Sequence, residues 1–346
     1  MRKTLPRPRL ILPGIIIFSI VFPSLAQQPG GGRLTGDIVG GAALIFRAPQ
    51  NPDVHLASSG GQSTVGGGRT SGRRTSTKPP IKQQEQFIAQ GNAARKAAKP
   101  KEAEEQYRLA TKVAPTDARA FAGLANVYVD QARFAEAVES YREAIKRNPD
   151  YQAAYLPLAF SLARLGNFDE AITIYEKLRD KEPTNPEVFN NLGFAYNEKG
   201  RFKESVVVTN RAIELLGATG QAYTQGFQDR NELLSYAYKN LGNAYNGLGQ
   251  YEEAATALKK SVEIAPANAA AYFNLGLTLY NAKRYSEAIE AYQNVIKLRP
   301  SLAQAHYNLG LTYIAINDHK AAREQYEALK AINSDLAAQL EKVLKK

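Results

Sequence analysis

The sequence predicts an all-α protein: a solenoid of seven helix-turn-helix units and a C-terminal capping helix, behind an export signal and a disordered linker. Three observations predict it. The stretches 238–266 (YKNLGNAYNGLGQYEEAATALKKSVEIAP), 272–300 (YFNLGLTLYNAKRYSEAIEAYQNVIKLRP) and 306–334 (HYNLGLTYIAINDHKAAREQYEALKAINS) echo one another every 34 residues. A fixed period of that length marks one supersecondary unit used repeatedly. Within each stretch apolar residues recur at spacings of three and four, the stripe of an amphipathic helix. Turn residues then fall where each helix must stop, Gly249 by admitting φ > 0 and Pro266 by lacking an N–H.

The N-terminal 26 residues read as a secretory signal peptide. Arg2, Lys3, Arg7 and Arg9 form a basic start, 10–22 is an apolar run of 13 residues, and Ser24 and Ala26 put small residues at −3 and −1 of a cleavage site. A membrane span needs about 20 apolar residues, so cleavage is expected in preference to an uncleaved anchor. The absence of cysteine excludes a lipoprotein anchor and a disulfide framework, and no Asn-x-Ser/Thr sequon occurs. Together these favour a bacterial periplasm or the cell exterior.

Residues 27–83 turn to Gly, Ser, Thr, Arg and Pro, a composition too poor in apolar surface to offset ordering entropy. One apolar island, 38–46 (IVGGAALIF), interrupts this linker. It reads either as a transiently ordered patch or as a strand that adds to a partner. The net charge of +11 is unevenly placed: the linker holds seven basic and two acidic residues, whereas 84–346 holds 33 against 31. Arg69, Arg73, Arg74, Lys78 and Lys82 therefore offer contact with an anionic lipid or wall polymer. Nucleic acid is not expected as a partner of an exported chain.

The repeat frame gives units 84–117, 118–151, 152–185, 186–219, 235–268, 269–302 and 303–336, with an insertion at 220–234 and a polar cap at 337–346. Position 8 holds Gly91, Ala125, Ala159, Gly193, Gly242, Gly276 and Gly310. Position 20 is Ala or Ser throughout, and position 32 is Pro in five units. Small residues at fixed places let two helices approach closely. In the insertion, Tyr223, Phe227, Asp229 and Arg230 either extend a helix or form a surface loop.

This pattern resembles the tetratricopeptide repeat (TPR) family. The resemblance implies a right-handed superhelix whose first helices line a concave surface that holds a protein or an extended peptide. It implies no enzymatic role, cofactor or small-molecule substrate. The family's carboxylate clamp is absent, because Ile88, Leu156 and Phe160 stand where cations are required, although Asn92 and Asn126 match its asparagines.

No catalytic motif appears. His306 and His319 stand where other units carry Tyr or Phe and read as core substitutions, and His55 lies in the linker. With positions 4, 7, 8 and 11 buried, positions 2, 5, 6, 9 and 13 should share the free side of each first helix. Position 6 carries Asn191, Asn240, Asn274 and Asn308 in four consecutive units. A primary amide can pair with both groups of a peptide backbone. The row is similar to the asparagine ladder of the O-linked N-acetylglucosamine transferase superhelix, without a transferase domain. The alternative is local hydrogen bonding within the repeat. Asn190, Glu198, Lys239, Asn243 and Asn281 add polarity around the row, and Phe194, Phe273, Leu277, Tyr307 and Leu311 add apolar contact area. An envelope interaction scaffold is the function expected. A structural subunit of a larger complex, or surface binding through the linker, is the alternative.

Overall fold

The computed structural model describes residues 80–218 and 230–345. The export signal, the island 38–46, Arg69, Arg73, Arg74, Lys78, Tyr223, Phe227 and Asp229 lie outside the described residues. Fifteen α-helices and no strand occur among the described residues. They pair as α1 (Pro80–Lys96) with α2 (Pro100–Val113), α3 (Ala118–Asp130) with α4 (Phe134–Arg147), and α5 (Tyr155–Arg164) with α6 (Phe168–Lys181). Then come α7 (Pro186–Glu198) with α8 (Phe202–Ala218), α9 (Arg230–Gly247) with α10 (Tyr251–Ile264), and α11 (Ala269–Asn281) with α12 (Tyr285–Leu298). The seventh pair is α13 (Ala303–Ala315) and α14 (His319–Ile332), and α15 (Ser334–Leu344) closes the array.

Each helix packs on its partner, and each second helix packs on the first helix of the next unit. Most successive first helices also touch, most extensively α7 with α9, whereas second helices do not pack on one another to that extent. First helices therefore form the inner wall and second helices the outer one.

Turn and packing chemistry recur in register. Position 15 adopts positive φ in all seven units: Gly166, Gly200 and Gly249, but also Ala98, Ala132, Lys283 and Asn317. The geometry of the pair demands a left-handed residue there whether or not glycine supplies it. Position 8 abuts the large residue at position 24. A Cβ on Gly276 would come within 2.7 Å of the Tyr292 ring, and one on Gly242 within 2.5 Å of Leu258. Gly310 instead faces Leu340 of α15, which fills the place another unit would take.

Three boundaries differ from the repeat frame. Helix α1 starts at Pro80, so Lys82 belongs to the solenoid and not to the linker. Proline at the first turn loses no intrahelical bond. The last five residues of the 220–234 insertion form the start of α9. Leu233 packs with Leu216, and Arg230 Nε donates to the Leu216 carbonyl at 2.7 Å, capping the end of α8. Finally, α15 starts at Ser334, three residues before the expected cap, because the Asn333 side chain accepts the Leu336 N–H at 3.0 Å.

His306 is buried, as expected of a core substitution, with Nε2 3.0 Å from the Pro300 carbonyl and Nδ1 2.9 Å from Gln325 Oε1. His319 is not: it is exposed at the start of α14. Phe134 and Phe168 at the same position stack edge-on against Phe160 and Phe194 of the following unit. The seventh unit is followed by a lone helix, so His319 has no such neighbour.

Candidate peptide groove

The inner wall divides into a closed part and an open part. On α7 and α9, Asn190, Asn191, Lys239 and Asn240 are fully buried and Phe194 nearly so, while Asn243 is half-buried and Glu198 exposed. On α11 and α13, Phe273, Asn274, Leu277, Asn281, Tyr307, Asn308 and Leu311 are all half-buried. The expectation that position 6 lies on a free face thus fails for Asn191 and Asn240. Both stand where α7 and α9 pack together.

Three asparagines of the row, Asn240, Asn274 and Asn308, join side chains on different helices, and Asn191 bonds its neighbour on α7. Asn240 Nδ2 donates to Asn190 Oδ1 at 3.0 Å and to the Asn190 carbonyl at 3.4 Å. Asn190 Nδ2 donates to Asn191 Oδ1 at 3.3 Å. Asn274 Nδ2 donates to Asn243 Oδ1 at 2.8 Å. Asn308 Oδ1 accepts from Gln304 Nε2 at 3.2 Å, and its side chain hydrogen-bonds the buried Tyr292 hydroxyl. In the first two units Asn92 and Asn126, the residues that matched the clamp, accept the Tyr107 and Tyr141 hydroxyls.

Sequence reasoning missed a second row at position 12. Asn197 Nδ2 donates to the Asn240 carbonyl at 2.8 Å, and Asn246 Nδ2 to Thr278 Oγ1 at 2.6 Å. The available signal was an Asn at one place in two successive units. It also missed Glu187, at position 2 of α7, which is buried with its pKa pushed up to about 8 by desolvation and then by the Glu182 charge. Glu198 is exposed at the other end of α7. Desolvation by the surrounding wall nevertheless raises its pKa, and Lys239 pulls it the other way.

Several buried polar atoms lack a partner: Glu187 Oε1, Asn197 Oδ1, Asn240 Oδ1, Asn246 Oδ1, Thr209 Oγ1 and the Tyr175 hydroxyl. Such groups are uncommon in native interiors and cost about 1–3 kcal/mol each if left so. Asn197 and Asn240 turn their NH₂ groups to the backbone carbonyls of Asn240 and Asn190. What each leaves unpaired is an acceptor. These acceptors and the Glu187 carboxyl are buried within the helix packing, whereas the open part of the wall presents half-buried aromatic and aliphatic side chains. Among the described residues no group of three His, Asp or Glu is placed to hold a metal.

A stack of helix pairs whose first helices make one such wall defines a protein-binding α-solenoid. Family models agree. Models described as tetratricopeptide repeat match 88–151, 122–186, 156–215 and 303–336, and one described as TPR repeat matches 242–283 and 278–317. The chain belongs to the tetratricopeptide repeat family. TPR proteins bind protein or peptide partners and are generally non-catalytic scaffolds.

Among solved structures, the chain is similar to one titled as the APC/C hetero-tetramer Cut9-Hcn1, at 20% identity and a TM-score of 0.57. That match covers 67% of this chain but 43% of the other. It is also similar to a tetratricopeptide repeat protein from Parabacteroides merdae, at 15% identity and a TM-score of 0.57, covering 77% of this chain and all of the other. These likenesses show the fold. No curated protein matches the chain.

Proposed function

We propose that the chain is an envelope scaffold that holds an extended peptide, or an extended part of a partner protein, along its inner wall. The observation that carries this reading is the continuous band of half-buried Phe273, Leu277, Tyr307 and Leu311 interleaved with Asn274, Asn281 and Asn308. Aromatic and aliphatic side chains supply desolvated anchors, and neighbouring amides pair with the backbone between them. Export supports the envelope as the place of action, through the basic start and 13-residue apolar run.

An array of unstructured peptides probed with the full chain tests the proposal. Capture of extended peptides, and release of them by a competing unstructured chain, is the expected result. An array that captures nothing while folded proteins bind would move the function to the outer wall or the linker.

A further inference from the structure

The open part of the wall carries no charge. Helices α11 and α13 hold no Asp, Glu, Lys or Arg, and among the described residues they are the only two α-helices of which this is true. The charges of their units fall in the turns and on α12, α14 and α15. Arg284, in the turn after α11, is tied to Glu252 at 2.6 Å and to Glu287 at 2.7 Å. What α11 and α13 present instead is ring and aliphatic surface. Phe273 stands edge-on to the buried Tyr292 ring at 5.9 Å, and Tyr307 and Leu311 pack on the cluster of Leu329, Ala337 and Leu340. These side chains are held from behind yet only half-buried, so each keeps some surface open. Anchors fixed before binding lose little rotamer freedom when an occupant arrives.

The polar groups between them are neutral. Asn274 commits Nδ2 to Asn243 at 2.8 Å, which leaves its Oδ1 for a backbone N–H, and Asn281 is half-buried at the end of α11. An apolar side chain laid on this bed would gain by burial. A charged one would lose water and meet no counter-ion. Neighbouring first helices about 10 Å apart make a strip about 20 Å long, which roughly six extended residues would cover.

We infer that the open part of the wall, along α11 and α13, takes an extended segment of a partner protein that is apolar and uncharged over about six residues. A charge within that segment is rejected, which gives the site its selectivity. This rests on the reading of the wall as a peptide groove, and deepens it by naming the class of segment held.

The test measures the affinity of the full chain for three synthetic peptides of equal length with blocked ends. One alternates Leu, Phe, Ser and Asn; the others are copies with a central Asp or a central Lys. Leu277→Lys and Leu311→Lys are run beside the parent, two sites so that one misfolded variant does not end the test. The parent should bind the neutral peptide at least tenfold more tightly than either charged copy. A folded variant should lose at least fivefold for the neutral peptide and gain at least fivefold for the Asp copy. Equal binding of all three by the parent would overturn the inference and leave the groove reading standing. A neutral preference unchanged in both folded variants would overturn the placement on α11 and α13. No binding of these probes, while the peptide array captures charged extended peptides, would overturn the inference alone; with an empty array the groove reading falls too. Tighter binding of the neutral peptide by a chain carrying Leu44→Asp and Ile45→Asp would make the chain's own 38–46 run the occupant and overturn an outside partner. A dimer of the parent that Leu277→Lys dissociates would do the same in favour of a second copy.

Discussion

Asn240 on α9 donates its side-chain amide to both oxygens of Asn190 on α7, at 3.0 Å and 3.4 Å, across the junction of the fourth and fifth units. The junction is the polar seam of the molecule. A large apolar cluster runs from α1 to α8 and ends at Ala237, and a second begins at Ala255 on α10. On α8, α9 and α10, where the clusters meet, buried Ser205, Thr209, Ser235, Lys239, Asn240 and Ser261 accompany the apolar pair Leu216 and Leu233. Asn240→Asp would set a carboxylate against two acceptors. It should destabilise the fold by about 2–4 kcal/mol, whereas Asn308→Ala, at a half-buried site, should cost about 1 kcal/mol. Denaturant midpoints of the two variants measure the difference.

Ala132→Gly should stabilise the fold. Ala132 has φ 58°, and left-handed backbone costs a non-glycine residue about 1–2 kcal/mol. Glycine's larger unfolded entropy offsets part of this, leaving a gain of about 0.5–1 kcal/mol. Asn317→Gly should gain less, because asparagine tolerates the left-handed region. Urea unfolding of both variants decides it.

Gly276→Ala should cost about 1–3 kcal/mol, because the new methyl would sit 2.7 Å from the Tyr292 ring. Gly217→Ala is the control. Nothing lies within 4 Å of a Cβ there, and the site is helical, so that substitution should be neutral or stabilising by up to about 1 kcal/mol. Thermal melts of the pair should move in opposite directions.

Glu187 makes stability depend on pH. Its folded pKa, about 8, lies above the ordinary carboxylate value of 4.5, so the folded state holds a proton that the unfolded chain releases. The stabilisation is complete below about pH 4.5 and is lost as pH rises through about 8. Glu187→Gln keeps a neutral side chain at every pH. Its melting temperature should match the parent near pH 4.5 and exceed it at pH 8.5. Equal melting temperatures at both values would contradict the buried, unpaired assignment.

The fold was legible because its signals repeat. Gly276 beside Tyr292 and the left-handed turn at Gly249 follow from residue size and backbone freedom at fixed spacing, so one unit explains the rest. The turn at Lys283 was legible only from register, since no lysine would suggest positive φ alone. The groove was less legible. A period of 3.6 says that position 6 lies away from the partner helix. It does not say how closely α7 and α9 approach, and that approach closes over Asn191 and Asn240. Glu187 lies in the first turn of α7, where an acid is ordinarily favourable to the helix dipole. Its burial depends on neighbours that its own helix does not encode.

The most direct test of the groove as a peptide site is the affinity of an array-selected unstructured peptide for the full chain and for a variant carrying Leu277→Asp and Leu311→Asp. Both leucines are half-buried on the open half of the wall. Affinity should fall at least tenfold while helicity is retained. Equal affinity, with both chains folded, would contradict the account and place binding elsewhere on the molecule.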